Sequence, residues 1–269
     1  MKDTQPVINM NGNIVSVSAS GGQLTVVHDA AKTHVIAGLP GGGNGVSPDG
    51  KTVIFMAGKE GSMGKTGIRT DIWTVPATGG GPRQITQSPT QDRFPCWSPD
   101  GKSVAFIRYT PNSEGGYVHH ILVTSSEGGE ARQITSESDK VGWASIDWSP
   151  DGKMIAYFSK DKTISLIPAW GGEHKVLSDV GSFGPHSDLA WSPDGNELAY
   201  TSASAGRLMV VSLKSGETRE VPTGVLDEGV QNFHIDWSPD GSKFALSAGF
   251  GGDNELWLME DFLHLVRSK

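Results

Sequence analysis

Trp97-Ser98-Pro99-Asp100-Gly101-Lys102 decides the fold, because the same unit returns at Trp148 to Lys153 and, more loosely, at Val46 to Lys51, Trp191 to Asn196 and Trp237 to Ser242. The motif prolines Pro48, Pro99, Pro150, Pro193 and Pro239 stand 51, 51, 43 and 46 residues apart. A near-fixed period of this size marks a propeller or a solenoid. The motif itself reads as a turn: Pro presets φ, the Asp side chain bonds nearby amides, and Gly accepts positive φ. It joins two strands as a hairpin, and the Trp at the end of the first strand is a large apolar plug for the layer between neighbouring sheets.

The residues after each motif repeat one grammar. Val104-Ala105-Phe106-Ile107-Arg108 alternates at period two, Ile121-Leu122-Val123-Thr124 follows, Glu127-Gly128-Gly129-Glu130 turns the chain, and Arg132-Gln133-Ile134-Thr135 closes the unit. With the strand that carries Trp97, each repeat holds four strands, a to d. Asn11-Gly12-Asn13 aligns with the motif turn and adds a sixth repeat, with Pro6-Val7-Ile8 as strand a and His34-Val35-Ile36 as strand d. The expected fold is all-β: a single six-bladed β-propeller of four-stranded antiparallel blades, at about residues 1–38, 39–89, 90–139, 140–180, 181–225 and 226–269.

Composition agrees with many short strands and turns. Only 36% of the residues are hydrophobic, while 36 are Gly and 15 are Pro, a balance suited to a core divided into thin layers. The net charge of −8 argues against a nucleic-acid track or an anionic membrane surface. Cys96 is the lone cysteine, so no intramolecular disulfide forms, and it reads as a buried thiol. The stretch from Met1 to Pro6 lacks the apolar run of a secretory signal, and no later segment reaches membrane-spanning length. That leaves the cytoplasm, or an exported protein whose signal has been removed.

The period, the Trp-Ser-Pro-Asp-Gly-Lys turn, and the tails Gly79-Gly80-Gly81-Pro82-Arg83-Gln84-Ile85-Thr86 and Gly128-Gly129-Glu130-Ala131-Arg132-Gln133-Ile134-Thr135 together resemble the TolB-type propeller repeat. The resemblance covers essentially the whole chain and implies the fold. It extends to the propellers of prolyl-oligopeptidase-like enzymes, and it implies a periplasmic location. The separate α/β domain that precedes the propeller in TolB has no counterpart among these residues, so its lipoprotein partner does not carry over.

In a propeller strand a lines the central channel and connections alternate between two faces. The motif turns and Gly-Gly turns share the uniform face; the d–a and b–c loops share the variable one, where a binding site is expected. Residues one, three and five places before each motif Trp approach that mouth. They are Cys96, Phe94 and Asp92; Asp147, Ser145 and Trp143; Ala190, Asp188 and His186; and Asp236, His234 and Asn232, with Arg93 adjacent. The second repeat offers Gly43, Asn44 and Gly45. The binding residues expected are Asp92, Arg93, Phe94, Trp143, Ser145, Asp147, His186, Asp188, Asn232, His234 and Asp236. Beside this stands a structural reading, in which the same groups satisfy strand ends and ordered water. A metal site from His186, His234, Asp188 and Asp236 is disfavoured, since only two repeats supply it and no close ligand pair imposes geometry. Two b–c loops on this face are long, Ala57 to Thr70 and Tyr109 to Val118, and suit a wall or lid.

Tests for catalytic motifs fail. Gly64-Lys65-Thr66 lacks the earlier glycine and the following helix of a phosphate-binding loop. Neither G-x-S-x-G nor H-E-x-x-H occurs. His119 and His120 are adjacent on a strand and point to opposite faces. The expectation is therefore a monomeric, non-enzymatic propeller that uses no cofactor or metal and binds a protein segment or small polar ligand. Replacing Asp188 and His234 by Ala would then remove binding and leave the melting temperature nearly unchanged. Two alternatives remain: a carbohydrate-active lyase or hydrolase using the mouth carboxylates and histidines, or a propeller domain of a larger sensor or peptidase.

Overall fold

The Ser-Pro-Asp-Gly turn closes on itself. In a computed structural model of the protein, the motif Asp accepts the hydroxyl of the preceding Ser at 2.5–2.7 Å and the backbone N–H two residues onward at 3.0–3.1 Å, in all five copies. The Ser hydroxyl in turn accepts the amide that opens the next strand at 2.9 Å. Gly50, Gly101, Gly152, Gly195 and Gly241 lie at φ 70–75°, the left-handed region that only Gly enters cheaply. These turns also pack against each other. A Cβ on Gly101 would lie 3.5 Å from Pro48, one on Gly195 would lie 3.6 Å from Pro150, and one on Gly241 would lie 3.8 Å from Pro193.

The structure describes residues 4–8, 14–18, 25–29, 35–37, 45–59, 63–64, 67–184, 187–202, 207–222, 231–250 and 253–259. The chain divides into two compact units, Met1–Ile134 and Thr135–Lys269. In the first unit, β1 (Thr4–Ile8), β2 (Ile14–Ser18) and β3 (Thr25–His28) form one antiparallel sheet. The second sheet has the order β4 (Val35–Ala37), β5 (Thr52–Lys59), β8 (Asp71–Pro76), β9 (Arg83–Gln84), and β6 (Met63–Gly64) pairs with β7 (Gly67–Ile68) as a separate ribbon. The third sheet is β10 (Gln91–Trp97), β11 (Ser103–Pro111), β12 (Tyr117–Ser125) and β13 (Arg132–Gln133).

The second unit repeats the plan. Its fourth sheet is β14 (Val141–Trp148), β15 (Met154–Ser159), β16 (Thr163–Pro168) and β17 (Lys175–Asp179). The fifth is β18 (Leu189–Trp191), β19 (Glu197–Ser202), β20 (Arg207–Ser212) and β21 (Thr218–Val221), and the sixth is β22 (Gln231–Trp237), β23 (Phe244–Phe250) and β24 (Asp253–Met259).

Strand alternation builds the layered core. Successive residues of β5 point to opposite faces: Val53, Phe55 and Ala57 pack with Ile14, Val27, Trp73 and Val75 on one side, while Ile54 packs with Ile72, Ile85, Trp97, Val104, Phe106 and Leu122 on the other. Trp191 fills the corresponding layer in the second unit, against Ala144, Phe158 and Leu166 of the fourth sheet. The motif Trp is thus the plug expected. Cys96 is a buried free thiol.

Three expectations change. Val35–Ala37 pairs with Lys59, Gly58 and Ala57 of β5, so it belongs to the second sheet and is not a fourth strand of the first. The long loop from Ala57 to Thr70 holds a continuation of β5 and the β6–β7 ribbon. The loop from Tyr109 to Val118 is mostly strand, because Tyr109, Thr110 and Pro111 pair with His119, Val118 and Tyr117. The turn between them is closed by the Asn112 side-chain oxygen Oδ1, which accepts the amides of Glu114 and Gly116. Gly43 and Asn44 lie outside the described residues.

Candidate functional site: the inner strands before each motif

The inner strands are regular beside the motif and irregular above it. In β10 the ladder jumps from Arg93 to Cys96, in β14 from Val141 to Ile146, and in β22 from Gln231 to His234. The alternation assumed for these strands therefore fails in their upper halves. A bulge inserts unpaired residues and re-aims side chains.

In the second unit the carboxylates bind the next sheet's backbone. Asp147, only 2% exposed, accepts the Trp148 amide at 2.9 Å through one oxygen and the Trp191 amide at 2.8 Å through the other. Asp188, 1% exposed, accepts Leu189 at 3.0 Å and Ile235 at 3.0 Å in the same way. The Ser145 hydroxyl accepts the Leu189 amide at 2.9 Å. The indole N–H groups of Trp191 and Trp237 donate to the carbonyls of Asp147 and Ala190. Neighbouring inner strands belong to separate sheets and form no ladder with each other, and these side chains supply the missing acceptors.

Asp188→Ala would strip two buried amides of a charged acceptor, a loss of about 2 kcal/mol or more, so the expectation that this change spares the melting temperature does not hold. Asp236 sits at the same register as Asp147. Removal from water pushes its carboxyl well up, and the charges of Asp147 and then Asp188 add to the shift. The three carboxylates are near enough to repel.

Trp143 has a different setting. It is 40% exposed, its ring centroid lies 5.3 Å from that of Phe183, and Phe183 stacks on Phe158 at 5.1 Å. Gly142 makes this possible, since a Cβ there would meet the Phe158 carbonyl oxygen at 2.7 Å and the Phe183 ring at 2.8 Å. Phe183 comes from the d–a connection and escaped the sequence reading, although an aromatic residue in a Gly- and Ser-rich connection is a visible signal. Asn232 and His234 lie on β22, and His186 lies outside the described residues. Among the described residues no group of three or more His, Cys, Asp or Glu side chains is placed to hold a metal ion.

In the first unit Asp92 is fully buried, and both its oxygens are taken by Arg108, at 2.8 Å from Nε and 2.9 Å from Nη2. Arg93 turns to the other side of β10, where its guanidinium carbon lies 5.1 Å from the Tyr109 ring centroid. Tyr109 is stacked by His119 at 4.1 Å and flanked by Tyr117 at 6.0 Å. Phe94, in the bulge, has φ 53°. The histidine pair divides as expected, with His119 opposite Tyr109 and His120 opposite Arg108 in the register. Tyr109 and Tyr117 belong to the stretch expected as a loop walling the mouth and stand instead on β11 and β12; their cluster with His119 beside Arg93 was not foreseen.

Comparison with known proteins fits this architecture. A family model described as WD domain, G-beta repeat matches residues 129–167. An uncharacterized peptidase, YuxL of Bacillus subtilis, is 30% identical over 202 residues, covering 75% of this chain and 28% of that protein, so the chain spans little more than a quarter of this relative. The crystal structure of TolB from Acinetobacter baumannii superposes with a TM-score of 0.70 at 19% identity, covering 96% of this chain and 61% of that one. An oligogalacturonate lyase in complex with manganese gives 0.62 at 16% identity, covering 96% and 74%. Among the described residues no helix is long and apolar enough to cross a membrane. With antiparallel four-stranded sheets, the repeated turn and these likenesses together, the chain resembles TolB-like, WD40-like β-propeller repeat proteins in its fold.

Proposed function

We propose that this propeller is a binding module without chemistry of its own, and that it receives a protein segment or small polar ligand on the face of the d–a and b–c loops. The observation that carries the reading is Trp143: a large aromatic ring, 40% exposed, braced by Phe183 at the end of an inner strand. Rigid, half-exposed Trp residues supply much of the binding energy at recognition surfaces. The mouth carboxylates do not suit acid and base work as they stand, since Asp147 and Asp188 each hold backbone amides on both oxygens.

A second reading is favoured by the 30% identity to a peptidase of which this chain spans 28%. There the same face presents peptide to a catalytic part elsewhere in a longer protein. The likeness to the lyase, at 16% identity, concerns the fold.

The test is selection of binders from a random peptide library on the immobilised chain, followed by Trp143→Ala. The variant is expected to weaken the selected peptides roughly tenfold or more and to leave them uncleaved, as read by mass spectrometry. Unchanged affinity would remove Trp143 from the site, and turnover by the chain alone would establish an enzyme.

A further inference from the structure

Two arginines stand side by side in the third sheet with opposite fates. Arg108 is neutralised, with both nitrogens of its fork on the buried Asp92. Arg93, one residue from Asp92 but on the other side of β10, makes no ion pair among the described residues, and its Nε is buried without a hydrogen-bond partner. Its neighbour Tyr109 supplies no counter-charge: burial pushes that phenol up, so the ring stays neutral. A guanidinium held on an aromatic face with a donor unused is a cation prepared for a planar anion.

The backbone beside it points the same way. The ladder passes over Phe94 and Pro95, which leaves the Phe94 N–H and C=O out of the pairing. Phe94 holds φ 53°, a conformation unfavourable for an aromatic residue and found where a backbone is shaped for a ligand. The geometry points to a carboxylate-binding site at Arg93, which takes a side-chain or terminal carboxylate of a peptide while the Phe94 backbone and the Tyr109 and Tyr117 rings receive the adjoining residue.

A peptide suits this surface better than a sugar acid does. Arg93 lies over Tyr109, whose ring is in turn flanked by Tyr117 and His119, a largely aromatic surface beside an open backbone segment, and such a segment pairs with another backbone. The site is built from residues of the first unit and does not use Trp143.

Heteronuclear NMR reads the site directly through the Arg93 Nε–H and the Phe94 amide. N-acetylglutamate is expected to shift both signals saturably, and N-acetylglutamine to leave them in place. Arg93→Gln should weaken saturation by about tenfold or more, and Arg93→Lys, which keeps the charge but not the planar fork, should recover only part of it. Thermal melts of both variants establish that they are folded, and Trp143→Ala should bind the probe as the parent does. Equal binding by Arg93→Gln, or no saturable shift by N-acetylglutamate, overturns the site. Saturation by galacturonate in place of the acetylated amino acid overturns the peptide assignment.

Discussion

Asp236 is a partly buried inner-strand carboxylate with little to offset its desolvation. Asp147 and Asp188 each hold two amides, while the Asp236 carboxyl is raised well above 3.8 by desolvation and by those two charges, with the Trp237 amide opposing. A carboxyl that binds its proton more tightly folded than unfolded adds stability below 3.8 and loses it as pH rises through the folded value. Asp236→Asn should therefore raise the melting temperature at neutral pH, with the gain shrinking as pH falls towards 3.8, in thermal melts at both conditions. The motif chemistry at this scale was legible, because Ser98, Asp100 and the Lys102 amide lie within a few residues of one another. The role of Asp147 was not, because its second partner, Trp191, is 44 positions away and only the fold brings them together.

The inner strands separate what pattern can foresee from what it cannot. Beside the motif they follow a period of two, as Trp97 and Cys96 do against Val104 and Ala105. Above it, bulges break the count; Pro95 beside Arg93 and Gly142 beside Trp143 are residue types that favour a bulge, but they do not say where the ladder resumes. The same limit explains Val35–Ala37: its three apolar residues read equally well as an outer strand of one sheet or an inner strand of the next, and long-range pairing decides. The fourth sheet offers a test of how the variable end is braced. Gly142→Ala adds a methyl that must displace Phe183 or the Phe158 carbonyl. It is expected to cost about 1–3 kcal/mol and to weaken any ligand of Trp143, in chemical denaturation and binding measured on the same sample. A change without effect on either would mean that Phe183 gives way freely and does not brace the ring.

For the whole molecule, the five motif turns act in parallel under acid. Hydrogen bonds from the preceding Ser, followed in four of the five copies by the amide two residues on, hold these carboxyls below 3.8, to about 2 for Asp240. Each is ionised more readily folded than unfolded, so its contribution is complete above 3.8 and is lost as pH falls towards about 2. Each site is exposed and strongly screened, yet the chain carries five. Denaturant titrations across that window should show stability falling steadily, and Asp100→Asn combined with Asp151→Asn should flatten the slope. The inter-sheet bonds have another consequence, for the order of the repeats. The fourth sheet serves the fifth through Asp147 and Ser145, and the fifth serves the sixth through Asp188, with Ala190 where a carboxylate stands in its neighbour. The fourth and fifth repeats thus each carry the acceptors that their successor requires, and a gene in which these two were exchanged would encode the same strands in an arrangement whose amides no longer find their oxygens.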